Sequence, residues 1–346
     1  MSLPLHPPLP PMEALLVEKI PNGHGWQYEP KWDGFRCLAF RDNREVQLQS
    51  KSGQPLGRYF PEIIELFMSL PARRFILDGE LAVPLEEHFS FDELLQRIHP
   101  AQSRVRKLAH EHPAIFVAFD LLAGEDGRPL LEQTLSARRK LLEAFAKKNF
   151  PTHDRLRLSP ATTSLPVARK WFEAVGGDLD GIVAKRLDLP YQSGLRTGMQ
   201  KIKKVRTADC VVGGFRYATN QRLVGSLLLG LFDEAGLLNH VGFCSGLKTS
   251  ERPALTRKLE ALLQPPGFTG HAPGGLSRWS TKRSMEWQPL KPQLVVEVAY
   301  DHFTGGRFRH GTRLLRWRSD KPPAQCRMDQ VGQSGKGPLA LLAKEH

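Results

Sequence analysis

Cysteine is scarce in this chain of 346 residues: Cys37, Cys210, Cys244 and Cys326 stand far apart, and no two form a C-x-x-C pair. That spacing argues against a zinc site and a disulfide framework, and a reducing compartment is the simpler setting. No apolar span and no basic amphipathic helix stands out, which argues against a membrane partner. The N-terminus, Met1-Ser2-Leu3-Pro4-Leu5-His6-Pro7-Pro8, is proline-rich and has neither the basic nor the apolar region of a secretory signal. The chain therefore reads as cytoplasmic. No internal repeat is present.

What the chain does have is positive charge. Its formal net charge is +13 and its pI is near 9.7, a balance that favours a polyanionic partner, nucleic acid before membrane. Hydrophobic content of 40% and charged content of 25% are those of an ordinary globular protein. The length suits two domains, since a single core stops growing sooner.

Prolines keep residues 1–11 extended over the surface. Trp26 to Lys31 and Phe35 to Phe40 have strand composition, with Asp33-Gly34 turning between them. Val46 to Ser50 alternates as a half-buried strand does, and Phe60, Ile63, Ile64, Phe67 and Leu70 follow helical spacing up to Pro71. Residues 75–83 and 114–122 are apolar runs with carboxylates at their centres, so Asp78, Glu80 and Asp120 need partners. Ser90 fits the start of one helix and Ser136 that of a second, with Leu141, Leu142 and Phe145 inward. A third helix is expected from about Val167 to Val175, stopping at Gly176-Gly177, and strands at 180–186 and 198–205. After Arg206 the composition changes to β-like runs at 210–216, 225–233, 237–244 and 293–300, broken by a helix starting near Thr249. Such a set suits a small barrel of the oligonucleotide-binding type. Residues 264–289 read as loop and 322–346 as a tail with a possible short helix at 337–344.

Six short segments carry the chemistry: Glu29-Pro30-Lys31-Trp32-Asp33-Gly34-Phe35-Arg36, Leu77-Asp78-Gly79-Glu80-Leu81, Ala118-Phe119-Asp120-Leu121-Leu122, Asp180-Gly181-Ile182-Val183-Ala184-Lys185, Lys201-Ile202-Lys203 and Arg318-Ser319-Asp320-Lys321. Singly, each has a plain structural reading: a surface turn, a core phenylalanine, a solvated strand edge, a salt-bridged turn. Together they combine a lysine, acidic residues, an aromatic and paired cations, the parts of a phosphate-handling site. Alternation along a strand puts Lys201 and Lys203 on one face.

In this order and spacing the segments resemble the motifs of the covalent nucleotidyltransferases, which include DNA ligases, RNA ligases and mRNA-capping enzymes. The resemblance is strongest to bacterial ATP-dependent DNA ligases of the ligase C type and to the ligase module of ligase D, and it runs from about residue 8 to Lys321. It implies an α+β fold: an adenylation domain of antiparallel sheets with flanking helices over 1–206, an OB-fold β-barrel domain over 207–321, and a tail over 322–346. It further implies that Lys31 attacks the α-phosphate of ATP and carries AMP, with magnesium or manganese held through Glu80 and Asp180. The family usually has glutamate where this chain has Asp180, one methylene shorter. Nucleotide contacts would fall to Glu29, Arg36, Lys51, Glu80, Phe119, Lys185, Lys201 and Lys203. Phe119 would stack on adenine and Glu80 would reach the ribose. Relatives mostly carry arginine at the position of Lys51.

Arg318, Asp320 and Lys321 would orient the leaving pyrophosphate from a mobile second domain, hinged at Arg206 to Asp209. Cationic neighbours are expected to depress the Lys31 pKa. The partner implied is nicked double-stranded DNA, bound by a basic run of Arg307, Arg309, His310, Arg313 and Arg316. The setting implied is a monomer associated with the nucleoid, alongside DNA-repair proteins. The chain before Lys31 is too short for a helical DNA-encircling domain, so a minimal repair enzyme is expected. An RNA ligase, a capping guanylyltransferase and a non-catalytic nucleic-acid scaffold remain the alternatives.

Overall fold

The computed structural model describes residues 3–86, 88–150, 154–174, 179–274, 286–331 and 338–342. The chain divides into two compact units, Met1–Lys203 with Ser334–His346, and Lys204–Gln333. No helix among the described residues is long and apolar enough to cross a membrane.

The first unit holds strands β1 (Leu15–Leu16), β2 (Trp26–Trp32), β3 (Phe35–Asp42), β4 (Glu45–Ser50), β5 (Arg74–Ala82), β6 (Ile115–Ala123), β7 (Leu156–Leu158), β8 (Leu179–Arg186) and β9 (Met199–Lys203). They form two sheets, ordered β1-β9-β8-β2 and β4-β3-β5-β6-β7. Although β2 and β3 are consecutive, they do not pair: Asp33-Gly34 carries the chain from one sheet to the other. The second sheet is buried on both faces, which explains the nearly unbroken apolar runs of β5 and β6. Cys37, Ala39, Leu77 and Phe116 pack against α1 (Pro61–Ser69) and α4 (Leu135–Asn149), through Ile63, Phe67, Leu142 and Phe145. On the other face Leu38, Phe40, Ile76 and Leu122 meet Leu3 and Met12 of the extended N-terminal arm.

Short helices α2 (Phe91–Arg97) and α3 (Gln102–Glu111) precede β6, and Ser90 caps α2 by accepting from Glu93 N. Two sequence expectations for α4 need correction. Thr134, not Ser136, caps it, because its hydroxyl accepts from Ala137 N. Leu141 is exposed, and the inward face is Leu135, Leu142, Phe145 and Ala146. Helix α5 spans Leu165–Ala174, and the expected stop at Gly176-Gly177 lies outside the described residues.

The second unit contains β10 (Arg206–Tyr217), β11 (Val224–Phe232), β12 (Leu238–Cys244), β13 (Val295–Tyr300) and β14 (Arg313–Trp317), with α6 (Arg252–Glu260) between β12 and β13. The sheet order is β12-β11-β10-β13-β14, antiparallel throughout. A bridge between Cys244 and Thr312 joins its two edges, with Thr312 N donating to Phe243 O at 3.0 Å, so the sheet closes into an OB-like barrel. Strand β14 was hidden in the sequence because its arginines read only as a basic run. The expected hinge also needs correction. Arg206 to Asp209 are laddered to Tyr300, Ala299, Val298 and Glu297, and only Lys204 and the exposed Val205 lie between β9 and β10 outside a strand. Beyond residue 321, Cys326 and Val331 are buried in the barrel core, whereas Leu342 joins Trp32, Phe89 and Leu179 in the first unit.

Candidate active site

Register builds the site. Lys31 on β2 lies across from Gly181 on β8, which lies across from Lys203 on β9, and Glu29, Val183 and Lys201 form the next row. Directly opposed residues share a face, so Glu29, Lys31, Lys201 and Lys203 emerge on one side, with Lys185 two residues along β8. The other side is apolar: Tyr28, Ile182, Ala184 and Ile202 pack on Ala168 of α5. Gly181 is required here. Its φ is +138°, and a Cβ would come within 1.8 Å of Ile202 O.

The second sheet supplies the opposite wall. Glu80 on β5 pairs with Arg36 on β3. Between β5 and β6 the register slips, with Asp78 opposite Asp120 but Gly79 opposite Ala118, and Phe119 is the residue left over. This bulge re-aims the half-buried ring of Phe119. Gly34 lets the crossing loop approach β5, since a Cβ there would meet Leu81 O at 2.1 Å. The result is a cavity of about 780 Å³ lined by Glu29, Lys31, Arg36, Lys51, Glu80, Phe119, Lys185 and Lys201. That is a volume suited to a nucleotide-sized ligand.

Asp180 and Lys203 are not among the lining residues but adjoin them through the Lys31 amine. Asp180, buried, is in ion contact with the Lys31 amine and lies 3.5 Å from Lys203 Nζ. Lys185 Nζ donates to Glu29 at 2.9 Å and sits 4.6 Å from the Phe119 ring centre. The Arg36 guanidinium, 5.3 Å from the same ring, is gripped by buried Asp78 at 3.0 and 2.7 Å, and the Tyr191 hydroxyl donates to Asp78 at 2.7 Å. The partner that Asp78 needed is therefore Arg36, and Asp120 finds Arg138 at 2.8 and 3.0 Å.

The electrostatics correct one expectation. Burial works to lower the Lys31 pKa, but Asp180 and Glu80 outweigh it, and the amine is held above its ordinary value. The depressed lysine is Lys201, lowered by burial and by the neighbouring charges of Lys31, Lys51 and Lys203. Glu80 is pushed up to about 8, mainly by burial, although Lys31 and Arg36 pull it down.

Glu80 and Asp180 fit a divalent cation by chemistry, as two hard carboxylate donors that both act on the Lys31 amine. No group of three His, Cys, Asp or Glu converges among the described residues. A partial set of two suits magnesium, which keeps waters and takes further oxygens from phosphates.

Arg318, Asp320 and Lys321 lie in the second unit, gathered around Asp209 of β10. Two residues near the chemistry went unread in the sequence. Glu13 lines the cavity and ion-pairs with Lys51 at 3.2 Å and Arg196 at 2.9 Å. Tyr191 buttresses Arg36 through Asp78. Neither stands in a recognisable motif, so nothing local could have flagged them.

The model of the ATP dependent DNA ligase domain matches residues 11–203, and that of the ATP dependent DNA ligase C terminal region matches residues 220–321. The chain is 43% identical to DNA ligase C2 of Mycolicibacterium smegmatis over 351 residues and 41% identical to DNA ligase C of Mycobacterium tuberculosis over 349, with 96% of each chain covered in both cases. A solved structure of a Lig E DNA ligase, 16% identical, shares the fold with a TM-score of 0.53 over 89% of this chain and 100% of that one. Matched in both regions and along nearly its whole length by such relatives, the chain belongs to the ATP-dependent DNA ligases of the ligase C type.

Proposed function

We propose that this ligase seals nicks in duplex DNA with Lys31 as the carrier of AMP. Lys31 gives its ammonium proton to solvent, and the neutral nitrogen attacks the α-phosphorus of ATP. The bond from that phosphorus to the oxygen bridging to the β-phosphate breaks, pyrophosphate leaves with the electron pair, and the new phosphoramidate nitrogen sheds its second proton to solvent. The 5′-phosphate of the nick then takes AMP from Lys31, and the adjacent 3′-hydroxyl displaces AMP to close the strand. The observation that carries this reading is the Lys31 amine on the wall of a cavity that also presents Glu80, Phe119, Lys185 and Lys201. Phe119 offers a face for adenine, and Lys185, Lys201 and Lys203 offer cations for the phosphates. Glu29, Arg36 and Glu80 bind the base and ribose, and Lys51 receives the 5′-phosphate. A divalent cation held by Glu80 and Asp180 would keep Glu80 ionised and neutralise the Asp180 charge that holds the proton on Lys31.

In this reading the adenylation domain ends near residue 206, and the barrel brings Arg318, Asp320 and Lys321 to the leaving pyrophosphate. The enzyme acts as a monomer in the cytoplasm on the nucleoid, in DNA repair. The test is incubation with ATP or GTP labelled at the α-phosphate, followed by nicked DNA or nicked RNA. ATP should label the protein, nicked DNA should discharge the label, and Lys31→Ala should abolish labelling. Labelling retained in that variant would move the nucleophile elsewhere, and discharge by nicked RNA alone would change the substrate.

A further inference from the structure

Both cations of the Arg318-Ser319-Asp320-Lys321 segment converge on one carboxylate more than a hundred residues earlier. Arg318 Nη1 donates to the two oxygens of Asp209 at 2.9 and 3.1 Å, and Lys321 Nζ donates to one of them at 2.7 Å. Arg318 also reaches Asp320 through Nε and Nη2, at 2.9 and 2.8 Å. Asp209 cannot drift. Its strand is laddered to β13, where it faces Glu297, and its backbone N–H and carbonyl are both bonded to the Gln330 amide, at 2.8 and 3.0 Å. Its side chain is 12% exposed, whereas those of Arg318 and Lys321 are 17% and 24% exposed. The carboxylate is thus the buried anchor, and the cations keep one side toward solvent.

Long cationic side chains have many rotamers, and fixing one costs conformational entropy. A turn bearing Arg318 and Lys321 alone would meet that cost each time a polyanion had to be gripped. Asp209 meets it in advance by setting both cations at a fixed spacing. The fold, not the local sequence, makes the arrangement, since Asp320 lies within the turn but Asp209 opens the barrel. We infer that Asp209 is a positioning residue for pyrophosphate departure, holding Arg318 and Lys321 in the geometry with which they meet the leaving group. This rests on the reading of those two residues as leaving-group cations.

The experiment measures two single-turnover steps on each full-length variant: self-adenylylation with ATP, and sealing of a nick already carrying AMP on its 5′-phosphate. Asp209→Asn should slow adenylylation by about tenfold to a hundredfold, as misplacement of a reacting group does. Sealing of the adenylylated nick should stay within about twofold of the parent and serves as the internal check on folding. Added to the double variant Arg318→Ala, Lys321→Met, Asp209→Asn should cost almost nothing further, because it acts through them. Equal losses in both steps, or a further tenfold loss on the double background, would reduce Asp209 to structural support and overturn the inference. So would normal adenylylation in Asp209→Asn while Arg318→Ala is slow. If Arg318→Ala itself adenylylates normally, the leaving-group reading falls first and takes the inference with it.

Discussion

Lys31 carries its proton in the resting cavity because Asp180, joined by Glu80 once that group ionises, outweighs the burial that would strip it. The two carboxylates are not equivalent. Asp180 has Lys31 and Lys203 at hand, whereas Glu80 is dominated by burial and is pushed up to about 8. A proton that the folded chain keeps and the unfolded chain releases has a definite sign in stability. Below the ordinary glutamate pKa of 4.5 both states hold it, and the stability it contributes is complete. As pH climbs through about 8 that contribution is lost. Glu80→Gln removes the titration, so in metal-free buffer its melting temperature should be closest to the parent's near pH 4.5 and exceed it most at pH 9. The gap should widen by on the order of 1–2 kcal/mol, less than the full shift implies because the cavity admits solvent. A gap independent of pH would show that Glu80 ionises as an ordinary surface carboxylate.

At the scale of elements, the site depends on three adjacent strands keeping register, and Gly181 sits at the centre of one row. Gly181→Ala would press a methyl group into the Ile202 carbonyl at a backbone angle that side chains rarely adopt. The expected cost is about 2–4 kcal/mol, seen as a melting temperature lower by roughly 5–10 °C. Adenylylation should fall with it, because β8 carries Asp180 and Lys185 while β2 and β9 carry the lysines. A variant with unchanged melting and labelling would mean that the strands part there without consequence. The strands themselves were largely legible, since alternation at Tyr28, Lys31, Ile182 and Lys185 tells the apolar face from the polar one. The walls of the cavity were not. The bulge at Phe119 leaves no mark in an apolar run, and β3 reads like a hairpin partner of β2 although it pairs in another sheet. Strand β14 was masked by its arginines, and Asp209 joins Arg318 only once the barrel has formed.

Across the whole molecule, a net charge of +13 faces a DNA substrate, and since the proposed nick sealing has to ignore sequence, phosphate contacts should dominate binding. In the barrel, Arg316 is tied to Glu297 and His310 to Asp301, while Arg307 and Arg313 are exposed. The two units are linked by Lys204 and Val205, which lie outside any strand. Cleavage by trypsin after Lys204 should therefore slow when ATP is bound, and X-ray scattering from the same samples should change. Equal cleavage and superimposable scattering curves would argue for one rigid body throughout the reaction. Binding to the nick provides the second measurement. Each neutralised phosphate contributes about −0.9 to the slope of log affinity against log salt, so about four contacts weaken binding roughly a hundredfold between 50 and 200 mM salt. Arg307→Ala and Arg313→Ala should each lower that slope by about one without changing which nick sequences are sealed. A flat salt response in the parent would mean that the charge of this chain is spent on something other than the backbone of its substrate.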